Sequence, residues 1–313
     1  MRSRNLLVGL ALVLTVFLSV YTVSAGIGDW FGRITGHATS SDTNVTVSLA
    51  GANPVTVEVF NSTLTGATVT PTENNLKSVE LIVRLTDVDG AADINATSVS
   101  ANFSKSGEAL RQNSSCVEVN TATANSRNFS CTIDVWYFDA PGTWSITAGG
   151  TDFGNLSFVY NTTQTFLMAT TTAMVMSPAS ISFGSVSPGA VNQTATDDPT
   201  VLNNTGNANI TNITVTPINL YGQNFGNYID VANFSVGNNT GSSAECDTSA
   251  GNSASLMVNG SQIQVGNAQL LRGNHSANNG QTGQEQLYYC FNTVPQLPSD
   301  AYSPPSLWTV TIV

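Results

Sequence analysis

The chain reads as an all-β protein, two tandem β-sandwich domains behind an N-terminal apolar helix. Three observations carry this reading. Apolar residues recur at every second position in run after run, as in Val79, Leu81, Val83 and Leu85 or Phe129, Cys131, Ile133 and Val135. The runs are broken by Gly, Asn, Asp and Pro, which favour turns. No helical period occurs beyond the first 25 residues. A period of two puts apolar side chains on one face of a strand and polar ones on the other, as in half-buried strands of antiparallel sheets.

The first element is the uncharged run Leu6–Val23, preceded by Arg2 and Arg4 and followed by Ser24 and Ala25. A positive start, an apolar middle, and Val23 and Ala25 at the −3 and −1 positions describe a secretory signal peptide of residues 1–25. The arginines stay on the cytoplasmic side and the remainder is exported. The run of 18 residues exceeds the usual signal-peptide core of about 7–15 and reaches the lower limit for spanning a bilayer. A retained transmembrane anchor is therefore the alternative, with Trp30 and Phe31 placed to sit in an aromatic belt. A polar spacer covers residues 26–43.

The first sandwich is expected over residues 44–168. Its strands begin with Val45, Val47 and Leu49, then Val55, Val57 and Val59, and continue through Val99, Ala101 and Phe103. Trp144, Ile146 and Ala148 follow, then Leu156, Phe158 and Tyr160. A joint spans 169–178, from Ala169 to Pro178. The second sandwich runs over 179–313, from Ile181 and Phe183 to a last strand at Leu307–Val313, leaving the leader as the only expected anchor. Two stretches rich in Asn, Gly and Ser, Gly237–Ser255 and Gly273–Gly283, read as exposed loops.

Removal of the leader leaves seven cations against twenty carboxylates, a net charge of −13. That argues against nucleic acid or an anionic membrane surface as a partner, since either needs a basic patch. Charged residues are only 9% of the chain, so something else must hydrate it. Asparagine is the candidate. Sixteen of 33 asparagines begin an Asn-x-Ser/Thr triplet: Asn44, Asn61, Asn95, Asn102, Asn113, Asn128, Asn155, Asn161, Asn192, Asn203, Asn209, Asn212, Asn233, Asn238, Asn259 and Asn274. Ser and Thr number 73, so chance would place roughly eight such triplets. The twofold excess favours N-glycosylation over accident in an exported chain. Asn44, Asn102, Asn128, Asn155 and Asn212 also fall on the polar phase of their strands or at a strand start, where a glycan can be accommodated.

Four cysteines allow three pairings, and none has CxxC spacing. His37 and His275 are badly placed to complete a zinc site, and disulfides are the default outside the cell. The parsimonious pairing is Cys116–Cys131 and Cys246–Cys290, one bond in each half.

Asp87-Val-Asp89-Gly90-Ala-Ala-Asp93 is the strongest chemical constellation. Its three carboxylates could supply oxygens to Ca²⁺, although the closing Glu of an EF-hand is missing. The competing reading is a turn whose aspartates cap their own backbone amides, and it is preferred; Asp152 is a remote further ligand. Apart from this Ca²⁺ no cofactor is expected. Catalysis has less support. Neither histidine has a nucleophile elbow to serve, and Asp197-Asp198 reads as a solvated turn, so no enzyme is expected. The aromatics Trp136, Tyr137 and Phe138, and Tyr288, Tyr289 and Phe291, read as core with an outward set that could meet sugar or a neighbour.

Two patterns carry a resemblance. Asp139-Ala-Pro-Gly-Thr-Trp144-Ser-Ile-Thr is similar to the turn and aromatic that open a late strand in immunoglobulin-like and PKD-like surface domains, with Trp where Tyr is usual. Ser187-Pro-Gly189, Asn204-Thr-Gly-Asn207 and Ile210–Val215 resemble the turn rhythm of immunoglobulin-like modules in archaeal cell-surface and S-layer-associated glycoproteins. The patterns cover under a quarter of the mature chain and imply an architecture and a habitat, with no functional residues. The resulting expectation is an exported, N-glycosylated structural or interaction protein of a surface layer or filament, binding other surface proteins or itself. An adhesin or a module binding carbohydrate or protein, organised by calcium, is the alternative, and a secreted hydrolase is third. The membrane is contacted only through an uncleaved leader. N-terminal sequencing of the native protein should find a chain beginning at Gly26; one that retains Leu6–Val23 would make this a membrane-anchored stalk.

Overall fold

Alternation of apolar and polar residues produces strands where its long runs fall within the described residues. The computed structural model describes residues 53–60, 64–119, 123–154, 158–238, 246–248, 254–277 and 282–313. The leader, the spacer and the expected strand at Val45–Leu49 lie outside the described residues. So do Asn44, Asn61 and Asn155, together with Leu156 and His37. The described residues belong to one compact unit, Ala50–Val313, and contain no α-helix.

Nine strands come before residue 170: β1 (Thr56–Val59), β2 (Thr68–Val69), β3 (Leu76–Thr86), β4 (Ile94–Ser104), β5 (Arg111–Asn113), β6 (Val117–Glu118), β7 (Ser126–Trp136), β8 (Gly142–Asp152) and β9 (Val159–Met168). They make one sheet of order β1-β3-β7-β6 and another of order β2-β9-β8-β4-β5. The inward faces meet in one apolar cluster, which is the layer architecture of a β-sandwich. Val79, Leu81, Val83 and Leu85 of β3 and Phe129, Cys131, Ile133 and Val135 of β7 face Val99, Ala101 and Phe103 of β4 and Trp144, Ile146 and Ala148 of β8. Phe103 and Phe166 meet edge to face with centroids 4.8 Å apart. In β9 the buried phase falls on Phe166 and Met168, whereas Tyr160, read as inward from the sequence, is 60% exposed. Where the chain crosses between sheets after β5, Cys116 donates its amide to Val99 and is bonded through sulfur to Cys131. The bond closes a separation of 15 residues, worth roughly 3 kcal/mol by loop entropy.

Twelve strands follow: β10 (Met174–Ser177), β11 (Val191–Thr194), β12 (Thr200–Asn204), β13 (Ile213–Thr216), β14 (Leu220–Gly222), β15 (Tyr228–Ile229), β16 (Phe234–Gly237), β17 (Ser255–Leu256), β18 (Ile263–Gln264), β19 (Gln284–Thr293), β20 (Tyr302–Ser303) and β21 (Thr309–Ile312). The order β10-β12-β19-β16-β17, with β11 also on β19, forms the largest sheet. Smaller sheets of order β18-β13-β21 and β15-β14-β20 complete this half. A second cluster includes Leu202, Ile213, Val215, Val236, Leu287 and Tyr289, with Phe234 stacked on Phe291 at 4.1 Å. Cys246 is bonded to Cys290 of β19 and fastens the loop after β16.

The stretch between the clusters is not loose. Residues 174–177, read from the sequence as part of a joint, form β10 and pair with β12, because Met174 and Met176 pack on the second cluster. Ahead of them, fully buried Asn207 donates its side-chain amide to the Ala169 carbonyl at 2.8 Å and accepts the Thr171 amide at 2.7 Å. Further bonds join the two halves. Arg272 donates from Nη2 to Glu108 Oε1 at 2.5 Å, and from Nη1 to Glu108 Oε2 at 3.2 Å and the Phe138 carbonyl at 3.1 Å. The Tyr137 hydroxyl bonds His275 Nδ1 at 2.8 Å, and Thr205 Oγ1 donates to Glu73 at 2.7 Å. Arg272→Ala would leave the Glu108 carboxylate, 9% exposed, without its cation. Calorimetry should show a loss of roughly 2 kcal/mol and a splitting of the unfolding transition between the halves.

Candidate functional site

The acidic turn sits where β3 hands over to β4. Gly90, with φ of 120°, takes a backbone conformation that a side chain would strain, and a single 3₁₀ turn, Ala91–Asp93, leads into β4. The Asn125 carbonyl accepts the Asp87 amide at 2.8 Å, and Asn125 Nδ2 donates to the carbonyls of Asp87 and Val88. Across the turn, the Phe153 amide donates to the Asp93 carbonyl at 2.8 Å, and Ile94 pairs with Asp152 in the β4–β8 ladder.

This framework converges carboxylates. Oxygens of Asp87, Asp89 and Asp93 all lie within 4.8 Å of one another. Asp87 and Asp152 are both fully buried. The capping expected of such a turn is present: Asp87 Oδ1 accepts the Asp89 amide at 2.8 Å. Capping occupies one oxygen only, and the buried Oδ2 of Asp87 has no hydrogen-bond partner. Asp89 in turn accepts from the backbone amide (3.2 Å) and the side chain (3.0 Å to Oδ2) of Asn53. Among the described residues no Lys or Arg forms an ion pair with Asp87 or Asp89.

Burial pushes the Asp87 carboxyl above its usual range, and the Asp89 amide bond works against this. The charges of Asp152, Asp93 and Asp89 add to the rise. A carboxyl raised by folding costs stability when it is ionised, and that cost grows as pH rises through the folded value.

The sequons divide the asparagines cleanly. None of the thirteen described sequon asparagines is buried, and Asn192, Asn209 and Asn259 are exposed. The three fully or nearly buried asparagines, Asn204, Asn207 and Asn219, are none of them acceptors that begin a sequon. Asn95 and Asn161 accept both the amide and the hydroxyl of the Thr two residues on, and Asn113 and Asn274 accept the corresponding Ser amide. These are Asx turns that hold the triplet in a compact, outward geometry. In three sequons the amide nitrogen that would carry a glycan already donates to a carbonyl: Asn113 to Thr132, Asn161 to Val57 and Asn233 to Asp230.

The remaining sequence candidates have structural duties. His275 is spent on Tyr137, and Asp197 and Asp198 accept the amides of Ser182 and Tyr289 instead of standing free in a turn. Tyr137, Tyr289 and Phe291 are buried, while Trp136 stacks on Phe138 at the surface. Sequence reading missed the Tyr221, Phe225 and Tyr228 hairpin, whose three aromatics are each about half exposed. Its signal was the alternation break at Gly222–Gly226.

No protein-family model matches the chain, and no curated protein matches it. The two disulfides fit an oxidising setting. In chelating buffer at neutral pH, Asp87→Asn should melt no lower than wild type and is expected to melt higher. The substitution keeps an oxygen for the Asp89 amide and removes a buried charge flanked by other carboxylates.

Proposed function

We propose that this is an exported, N-glycosylated cell-surface protein of two immunoglobulin-like sandwiches, expected at 44–168 and 179–313 with β10 joining the second, that acts as a structural or interaction component of a surface layer or filament. The partition of asparagines carries the reading: no sequon acceptor asparagine is buried among the described residues, and burial falls on asparagines that begin no sequon. A random scatter of triplets over a folded chain would bury some of them. The Asp139–Trp144 turn adds support for the module type. Trp144, fully buried, donates its indole N–H to the Ala140 carbonyl at 2.9 Å, and Asp139 accepts the Trp136 amide at 2.8 Å and the Arg111 guanidinium. An aromatic tied back to the backbone a few residues upstream is the corner device of immunoglobulin-like domains, with Trp here in place of Tyr. The action is passive: rigid, disulfide-tied bodies with hydrated faces that pack against neighbours.

The hairpin of Tyr221, Phe225 and Tyr228 favours a second reading, an adhesin whose exposed aromatics contact sugar or protein. Electron microscopy of native cell surfaces separates the two, since ordered arrays or filaments support the first and isolated molecules the second.

Glycopeptide mapping of protein from its native host should find Asn95, Asn192, Asn209 and Asn259 occupied, and Asn113, Asn161 and Asn233 occupied least. Thr97→Ala should remove the mass of one glycan and leave the fold intact. An intact mass equal to that of the bare polypeptide would overturn the glycoprotein reading.

A further inference from the structure

We propose that the turn Asp87–Asp93, completed by Asp152, is a site for one divalent cation of the Ca²⁺ type, which braces the chain at Asn53. Two independent observations carry it. The first is the convergence of three carboxylates within 4.8 Å, each contributing one oxygen. The second is the state of Asp87: fully buried, with one carboxylate oxygen engaged by the Asp89 amide and the other without a hydrogen-bond partner. A buried anionic oxygen without a partner is costly, and in a native structure such a group points to an ion or another charge-bearing ligand.

The donor set selects the chemistry. All the candidate ligands are carboxylate oxygens, hard donors that suit Ca²⁺ or Mg²⁺ over softer metals. They come from two separated segments, the turn and strand β8, and one of them is already shared with an amide. Such an irregular cage suits the six- to eightfold, flexible coordination of Ca²⁺ better than the strict octahedron of Mg²⁺. The nearby charges that oppose one another without a cation, Asp87 against Asp152, Asp93 and Asp89, become ligands with one. Asp89 links the site to function, because the same carboxylate holds Asn53, the first described residue of the chain. A cation fixing Asp89 therefore stiffens the point at which the body receives the preceding segment. This inference is independent of the glycoprotein reading, and its failure would leave that reading untouched.

The test uses the purified full-length protein, freed of metal by chelation and dialysed. Equilibrium dialysis against CaCl₂ should give one bound Ca²⁺ per chain, with a dissociation constant of about 0.1–1 mM, as in extracellular modules. At ten times that constant the melting temperature should rise by roughly 3–5 °C, with Mg²⁺ producing less at the same concentration. Asp89→Asn and Asp93→Asn should each weaken binding at least about tenfold, while Asp134→Asn, an exposed carboxylate elsewhere, should bind as wild type. Absence of bound Ca²⁺ in the wild-type protein overturns the proposal, and so does a calcium response that survives both site variants. Because the wild-type stoichiometry is read directly, a variant that failed to fold would not protect the proposal from that outcome.

Discussion

The antiparallel ladder between β3 and β7 is the constraint on which the first half of the molecule depends. It runs for eleven paired positions, from Leu76 opposite Trp136 to Thr86 opposite Ser126. Because the side-chain period is two, this single register settles which residues face inward, and a slip of one would turn Leu81, Val83, Phe129 and Ile133 out to water. The outward phase of the same ladder carries Arg84 opposite Asn128, joined at 3.0 Å, and Glu80 bonded to Ser130. Each end of the ladder hands its geometry to a different feature. Beyond Thr86 the chain must turn at once, and the turn is the acidic one. Beyond Trp136 it turns through Tyr137–Asp139, which places Tyr137 against His275 and Asp139 against Arg111. Cys131 in the middle anchors the crossover of the neighbouring edge.

Much of this was legible because it is local. Strands of eleven residues announce themselves by alternation, and β3, β4 and β7 lie where their apolar phases put them. The cysteine pairing follows from proximity in sequence, since each bond spans 15 or 44 residues. Short strands gave no comparable signal: β10 has only four residues and was absorbed into an expected joint, where Ala169–Thr172 alone reads as a connector. The acidic turn was legible as three aspartates, and its capping bond is there. The orphaned oxygen of Asp87 was not, because burial is set by packing of the turn against β8 and Asn125. Arg272 and Glu108, 164 residues apart, and Asn207 with Ala169 are tertiary pairings that no periodicity encodes.

Positive charge is used sparingly and is tied into the framework. Each of the six Lys and Arg residues among the described residues is committed. Lys77 donates to Thr70, Lys105 to Thr143 and Arg84 to Asn128, with its guanidinium also 3.6 Å from the Phe60 ring centroid. Arg111, Arg127 and Arg272 pair with Asp139, Glu118 and Glu108. Little cationic surface is left to hydrate the body or to attract anionic partners. Hydration is therefore shared by exposed carboxylates, among them Glu58, Glu80, Asp134 and Asp230, and by amides and hydroxyls, and it is on that surface that the sequon asparagines are found.

The way the sheets end limits how such a body could assemble. Edge strands are templates for pairing with another chain when they are long and flat. Among the described residues the outermost strands are short: β1, β10, β11 and β21 reach four residues, β5 has three, and β2, β6, β15, β17, β18 and β20 have two, although β2 pairs with only Leu167 and Met168 of the ten-residue β9. The β1 edge is further occupied, since Asn161 donates its side-chain amide to the Val57 carbonyl. An edge of two residues offers too few backbone groups to offset the entropy of docking a strand. Side-chain surfaces are then the larger resource for any contact with a neighbour. Of those, the Tyr221–Tyr228 hairpin concentrates the most exposed aromatic area in a short stretch, with Tyr221 and Tyr228 ring centroids 5.8 Å apart and Phe225 at its tip. Assembly through aromatics instead of strand addition would be saturable and specific in geometry, and it would leave the sequon-bearing faces free to carry water.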